Sequence, residues 1–139
     1  MKKSNLMTNI IKDLDFCSSY WTILYGSFVG SKFVSTRSDV DVSVITRIKD
    51  KDSNSKLWLL LLEKTTPRYD IKVFELLPLF LKIEIIHSYY VIFGDPLEIS
   101  EYFYHYRSIW KEMVGRHKSN QFVNIQEKIS MLENQKRIG

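Results

Sequence analysis

One short stretch limits this chain more than any other: in Asp39-Val40-Asp41-Val42-Ser43-Val44-Ile45 polar and apolar residues alternate as far as Val44. Side chains on a β-strand point to opposite faces with a period of two, so Val40, Val42 and Val44 fall on one face and Asp39, Asp41 and Ser43 on the other. The valines anchor the strand in a core. The same alternation holds Asp39 and Asp41 a few ångströms apart on the opposite face, where two unpaired carboxylates repel. A divalent cation between them reverses that cost, and hard oxygen donors suit Mg²⁺ or Mn²⁺ rather than zinc.

The flanking sequence supplies the rest of a fold. Leu6, Ile10, Ile11 and Leu14 at helical spacing predict a helix over 3–14 with Ser4 as N-cap, and Trp21-Thr-Ile-Leu-Tyr-Gly-Ser27 predicts a buried strand ending in a sharp turn. After the acidic strand, an apolar stretch predicts a helix over 52–66, capped by Asp52 or Ser53 and stopped by Pro67. A third strand is expected over 68–76, a helix from Pro78 to about Ser88, and a short strand at Tyr89-Tyr-Val-Ile-Phe-Gly94. Asp95-Pro96 then opens the most amphipathic helix, whose stripe runs Ile99, Tyr102, Phe103, Tyr106, Ile109, Trp110, Met113 and Val114 before Gly115. A last helix is expected over 122–135. The fold class is α/β (α+β): a mixed sheet of about four strands backed by helices, with further helices at the C-terminus.

Gly26-Ser27 stands where the first strand gives way to a turn. Backbone N–H groups at such a junction, and the serine hydroxyl, can receive a phosphate, and glycine lets the ligand approach the backbone closely. Residues 28–38, ending in Ser38, intervene before Asp39-Val40-Asp41, and Asp70 stands at the head of the third strand as a candidate third carboxylate. Alone, an Asp-x-Asp pair is ordinarily a solvated strand end and a Gly-Ser an ordinary turn; in this order they describe a site for a metal-chelated nucleoside triphosphate.

These residues resemble the DNA polymerase β-like nucleotidyltransferases, in particular the minimal single-domain branch, MNT. Gly26, Ser27, Asp39, Asp41 and Asp70 match its pattern of Gly-Ser, a spacer, Asp-x-Asp and a later carboxylate. The spacer is one residue longer than is common, and Gly30 stands one place nearer to Ser27. The layout after the motif also matches, so the likeness covers residues 6 to about 115. It implies a nucleotidyltransferase domain over 1–115 with 116–139 as a helical extension. It implies two Mg²⁺ ions at Asp39 and Asp41, one shared with Asp70, which would also accept the acceptor's proton. Gly26, Ser27 and Ser38 would bind ATP. It further implies the antitoxin of a type VII-like MNT/HEPN toxin–antitoxin pair, which moves AMP from ATP to a tyrosine hydroxyl of the HEPN toxin. Asp70 has a bland reading too, as a strand-start acid paired with Arg68 or Lys72, and Lys32 and Arg37 are candidate phosphate contacts.

Composition removes other classes. The chain has 139 residues, 45% hydrophobic and 26% charged, which fits one globular domain rather than disorder or a fibre. A net charge of +4, spread along the chain, favours phosphate ligands without forming a nucleic-acid stripe. The charged start and short apolar runs point to no export or membrane span, and one cysteine, Cys17, fits a reduced cytoplasmic thiol. His87, His105 and His117 lack metal-ligand spacing. Two rival readings stand beside the adenylyltransferase: a contact-only binding module, and a nucleotidyltransferase of a small hydroxyl compound. The long stripe on the Asp95-Pro96 helix leaves room for a partner protein or a second copy of the chain.

Overall fold

The computed structural model describes residues 3–26, 29 and 39–116. Ser27, Ser38, Gly30, Lys32, Arg37, His117 and the helix expected over 122–135 therefore lie outside the described residues. Helix α1 (Lys3–Asp13) leads through a short 3-10 turn (Asp15–Cys17) into β1 (Trp21–Tyr25), and β2 (Val40–Ile45) follows. Helix α2 (Lys51–Lys64), β3 (Tyr69–Val73), a second 3-10 turn (Phe74–Leu76), α3 (Leu79–His87) and β4 (Tyr89–Phe93) come next. Helix α4 spans 96–116.

The four strands form one sheet in the order β3-β2-β1-β4. β1 runs antiparallel to both β2 and β4, whereas β2 and β3 are parallel. A parallel pair needs a crossover, and α2 provides it. On one face Leu24, Val40, Val42, Val44, Tyr69, Ile71 and Val73 pack with Ile10 of α1, Leu14 just after it and Leu61 of α2. Trp58 completes this layer and donates its indole N–H to the Ile71 carbonyl at 2.8 Å, which satisfies one backbone acceptor of the edge strand β3. The opposite layer joins Ile23, Ile45 and Phe74 to Ile85 and Ile86 of α3 and Ile99 and Phe103 of α4.

Both faces are thus covered, and this modifies what the alternation of β2 suggests. Ser43 and Ile45, on the aspartate face, are fully buried under α3 and α4. Only the first part of that face, at Asp41, is open.

Several boundaries shift for local reasons. α1 already runs through Ser4, so Ser4 is not its cap. Asp50, not Asp52 or Ser53, caps α2: its side chain accepts from the Ser53 backbone N–H at 3.1 Å. The third strand stops at Val73, where Phe74–Leu76 turn into a 3-10 segment that carries Glu75 inward. Glu75 accepts from the Thr46 N–H at 3.1 Å, the Arg47 N–H at 3.0 Å and the Tyr102 hydroxyl at 2.8 Å, which ties α4 to the end of β2. At the head of α4, Asp95 accepts from the Leu97 N–H at 2.9 Å, as the Asp-Pro start predicts.

The aromatic stripe of α4 divides along its length. Ile99 and Phe103 are fully buried, and Phe103 and Tyr106 set their rings 5.0 and 5.3 Å from that of Phe74. Farther on, Trp110 and Val114 are half-buried and Met113 is exposed. Cys17 is buried, and burial pushes its thiol up to about 12 despite the opposing charge of Lys64. Among the described residues no helix is long and apolar enough to cross a membrane.

Candidate active site

Strand directions bring the expected residues together. Because β1 is antiparallel to β2 and β3, the end of β1 lies at the same edge of the sheet as the beginnings of the other two. In register, Asp41 stands opposite Tyr25 on β1 and opposite Asp70 on β3. Side by side on neighbouring strands, such residues share a face. Tyr25, Asp41 and Asp70 therefore line one end of the sheet, although they are far apart in sequence.

Gly26 follows Tyr25 with φ of +72°, a left-handed conformation that favours glycine. Space imposes a second requirement. A Cβ on Gly26 would fall on Oδ2 of Asp41 and only 3.3 Å from its Cγ. The Asp41 carboxylate thus rests directly against the Gly26 backbone, and the Gly26 carbonyl accepts from the Val29 N–H at 3.1 Å to start the turn.

A cavity of about 350 Å³ opens at this edge, lined by Tyr25, Gly26, Asp41, Lys72, Leu77, Leu81, Glu84 and Ile85. Its far wall is Leu77 together with Leu81, Glu84 and Ile85 of α3, apolar apart from the Glu84 carboxylate, while the sheet supplies Asp41 and Lys72. Burial raises the Asp41 carboxyl above the usual carboxylate range, and the negative charges of Asp70 and Asp39 add to the rise while Lys72 opposes it. The Tyr25 hydroxyl is pushed up as well, first by burial and then by Asp41 and Asp70.

Asp70 is exposed, and its Oδ2 accepts from Lys72 Nζ at 2.7 Å. The bland reading of Asp70 as the partner of Lys72 is therefore realised in the same geometry that brings it beside Asp41. Asp39 is exposed just before β2. Among the described residues no three His, Cys, Asp or Glu side chains converge closely enough to hold a metal ion by themselves. Sequence reasoning passed over Lys72 as a site residue, and also Tyr25, Leu81 and Glu84. For Lys72 the signal was present, since Asp70-Ile-Lys72 has the same two-residue period as Asp39-Val-Asp41. For Leu81 and Glu84 no local pattern distinguishes a cavity wall from any helix face.

The arrangement defines a nucleotidyltransferase-like centre: a strand ending in a tight glycine turn, with carboxylates from two neighbouring strands facing it. A protein of Methanocaldococcus jannaschii, the candidate protein adenylyltransferase MJ1547, is 43% identical over 109 residues, covering 78% of this chain and 84% of its own. A chain of the crystal structure of a toxin–antitoxin with AMP-PNP superposes with a TM-score of 0.58 at 15% identity, covering 81% of this chain and 93% of its own. A chain from the structure of a tri-AMPylated Shewanella oneidensis HEPN toxin in complex with MNT antitoxin gives 0.55 at 15% identity, over 85% of this chain and 94% of its own. No profile of a known protein family matches. The chain belongs to the family of that candidate protein adenylyltransferase, and its fold is the nucleotidyltransferase fold of the MNT antitoxins.

Proposed function

We propose that the chain is a protein adenylyltransferase that acts as an antitoxin, transferring AMP from ATP to a tyrosine hydroxyl of a HEPN-type toxin. The observation that carries this reading is the meeting of Asp41 and Asp70 in register beside the Gly26 turn, in a chain 43% identical to a candidate protein adenylyltransferase. The structural neighbours support the pairing, since they come from toxin–antitoxin complexes, one with an AMPylated HEPN toxin and one with AMP-PNP.

On this reading Gly26 and Ser27 receive the triphosphate, with Ser38 at the start of the acidic strand. Asp39, Asp41 and Asp70 are the residues that would hold Mg²⁺. The donor set fits, because Mg²⁺ is ordinarily held by one or two carboxylates with the remaining positions left to water and substrate phosphates, so a closed cage of three protein ligands is not required. The raised Asp41 carboxyl points the same way: its cost in the free protein is what a bound cation would relieve. When bound, Mg²⁺ neutralises charge on the phosphates and at the reacting phosphorus.

The chain's own contribution is to orient and to move one proton. The tyrosine oxygen attacks the α-phosphorus, the bond from that phosphorus to the bridging oxygen breaks, and pyrophosphate leaves. Asp70 accepts the phenolic proton. The apolar wall of Leu77, Leu81 and Ile85 beside the carboxylates supports an aromatic acceptor entering from the α3 side. A buried, unpaired Cys17 fits a cytoplasmic protein.

The test is to incubate the chain with a HEPN toxin, ATP and Mg²⁺ and to weigh both proteins. A mass increase of one or more adenylyl groups on the toxin, abolished by Asp41→Asn, is expected. If the toxin is silenced equally without ATP and gains no mass, the contact-only reading replaces the enzyme. Adenylylation of a small hydroxyl compound with none on the toxin would move the chain to the other rival class.

A further inference from the structure

We infer that Lys72 is a resident counter-cation of the site, one that holds back divalent-cation binding until the triphosphate arrives. The inference deepens the adenylyltransferase reading and rests on it. Lys72 sits two residues beyond Asp70 on β3, on the same face, and in register opposite Ser43, the residue two beyond Asp41. Its ammonium is 2.7 Å from Asp70 Oδ2, and its side chain lines the cavity together with Gly26 and Asp41. The ion pair is not sealed in the core: the Lys72 and Asp70 side chains are 35% and 50% exposed. A flexible four-carbon stem lets that charge move without disturbing the strand.

Asp70 is bound to this one lysine, and Asp41 and Glu84 line the same cavity with it. While Lys72 stays on Asp70, a divalent cation entering alone meets a fixed positive charge and a carboxylate whose oxygen is already engaged. A triphosphate carries several negative charges of its own. Its arrival gives the ammonium a stronger partner than Asp70, within reach of the same stem, and releases the Asp70 oxygen. The site then acquires its cation and its proton acceptor in the same event. Lys72 is a positioning residue in this scheme, acting through Asp70.

The experiment measures Mn²⁺ binding without nucleotide, by titration calorimetry or by the electron paramagnetic resonance signal of free Mn²⁺. Lys72→Met keeps the stem and removes the charge, and it should bind Mn²⁺ about tenfold more tightly, the scale of one removed unit charge in a partly solvated site. Lys72→Arg keeps the charge and should stay close to wild type. Asp41→Asn should bind Mn²⁺ more weakly than wild type. Lys72→Gln provides a second neutral variant should Lys72→Met fail to fold. If both folded neutral variants bind Mn²⁺ no more tightly than wild type while Asp41→Asn weakens binding, the role of Lys72 is overturned and the carboxylate site stands. If Asp41→Asn binds as wild type does, the carboxylate site itself falls, and the role of Lys72 falls with it.

Discussion

Gly26→Ala adds a single methyl, and the structure sets its consequences in two separate quantities. The backbone at Gly26 has φ of +72°, where an L-residue with a Cβ costs about 1–2 kcal/mol. For a domain of this size each kcal/mol lowers the melting temperature by roughly 3–4 °C, so a drop of about 3–8 °C is expected. The second quantity is displacement. The new Cβ would fall on Asp41 Oδ2, well inside the 3.4 Å at which ordinary contact begins, so the carboxylate must retreat by about 1 Å. A 1 Å error in a catalytic group can cost about a hundredfold in rate. Thermal melting and single-turnover adenylylation read the two effects apart. Gly115→Ala is the control: its Cβ meets nothing within 4 Å inside α4, and helix propensity alone should raise stability by about 0.5–1 kcal/mol. Should Gly26→Ala transfer AMP at the wild-type rate, the contact between this turn and Asp41 has no part in catalysis.

Further perturbations follow from the same contacts. Asp41→Asn should abolish transfer yet melt higher than wild type at neutral pH. The folded Asp41 carboxyl is raised above its unfolded value, so wild-type stability falls as pH climbs from the unfolded value of about 3.9 through the raised one. The advantage of the variant should therefore shrink as pH drops towards about 4, and melts across that range check it; an advantage independent of pH would contradict the assignment. Glu75→Ala should destabilise the protein by about 1–3 kcal/mol in urea unfolding, since Thr46, Arg47 and Tyr102 each lose their acceptor, and an unchanged midpoint would show that water replaces it fully.

Much of the site was legible in sequence because its parts are local. The alternation of Asp39 to Val44 fixes which side chains share a face, and Gly26 marks a turn wherever the strands go. Asp95-Pro96 opens a helix by chemistry contained within a few residues. The cap of α2 was misplaced by a short distance because Asp50, Asp52 and Ser53 are all competent caps, and only the path of the incoming chain selects Asp50. The cover over the far part of β2 was not legible for a similar reason: alternation distinguishes two faces but does not say that α3 and α4, distant in sequence, cover the polar one from Ser43 onwards.

What tertiary structure alone decided is which carboxylates meet. The sequence offers Asp39 and Asp41 as natural partners, two residues apart. In the fold, however, the register partner of Asp41 is Asp70, across the parallel β2–β3 pair, while Asp39 lies exposed at the strand entrance. The choice depends on strand direction. With β1 antiparallel to its neighbours, the end of one strand and the beginnings of two others share an edge, and no periodicity within a single segment encodes that. The same topology puts Lys72 beside the carboxylates and α3 across the cavity from them. Local sequence specified the chemical groups, and the long-range pairing of strands specified their company, because register is settled by burying both faces of the sheet at once.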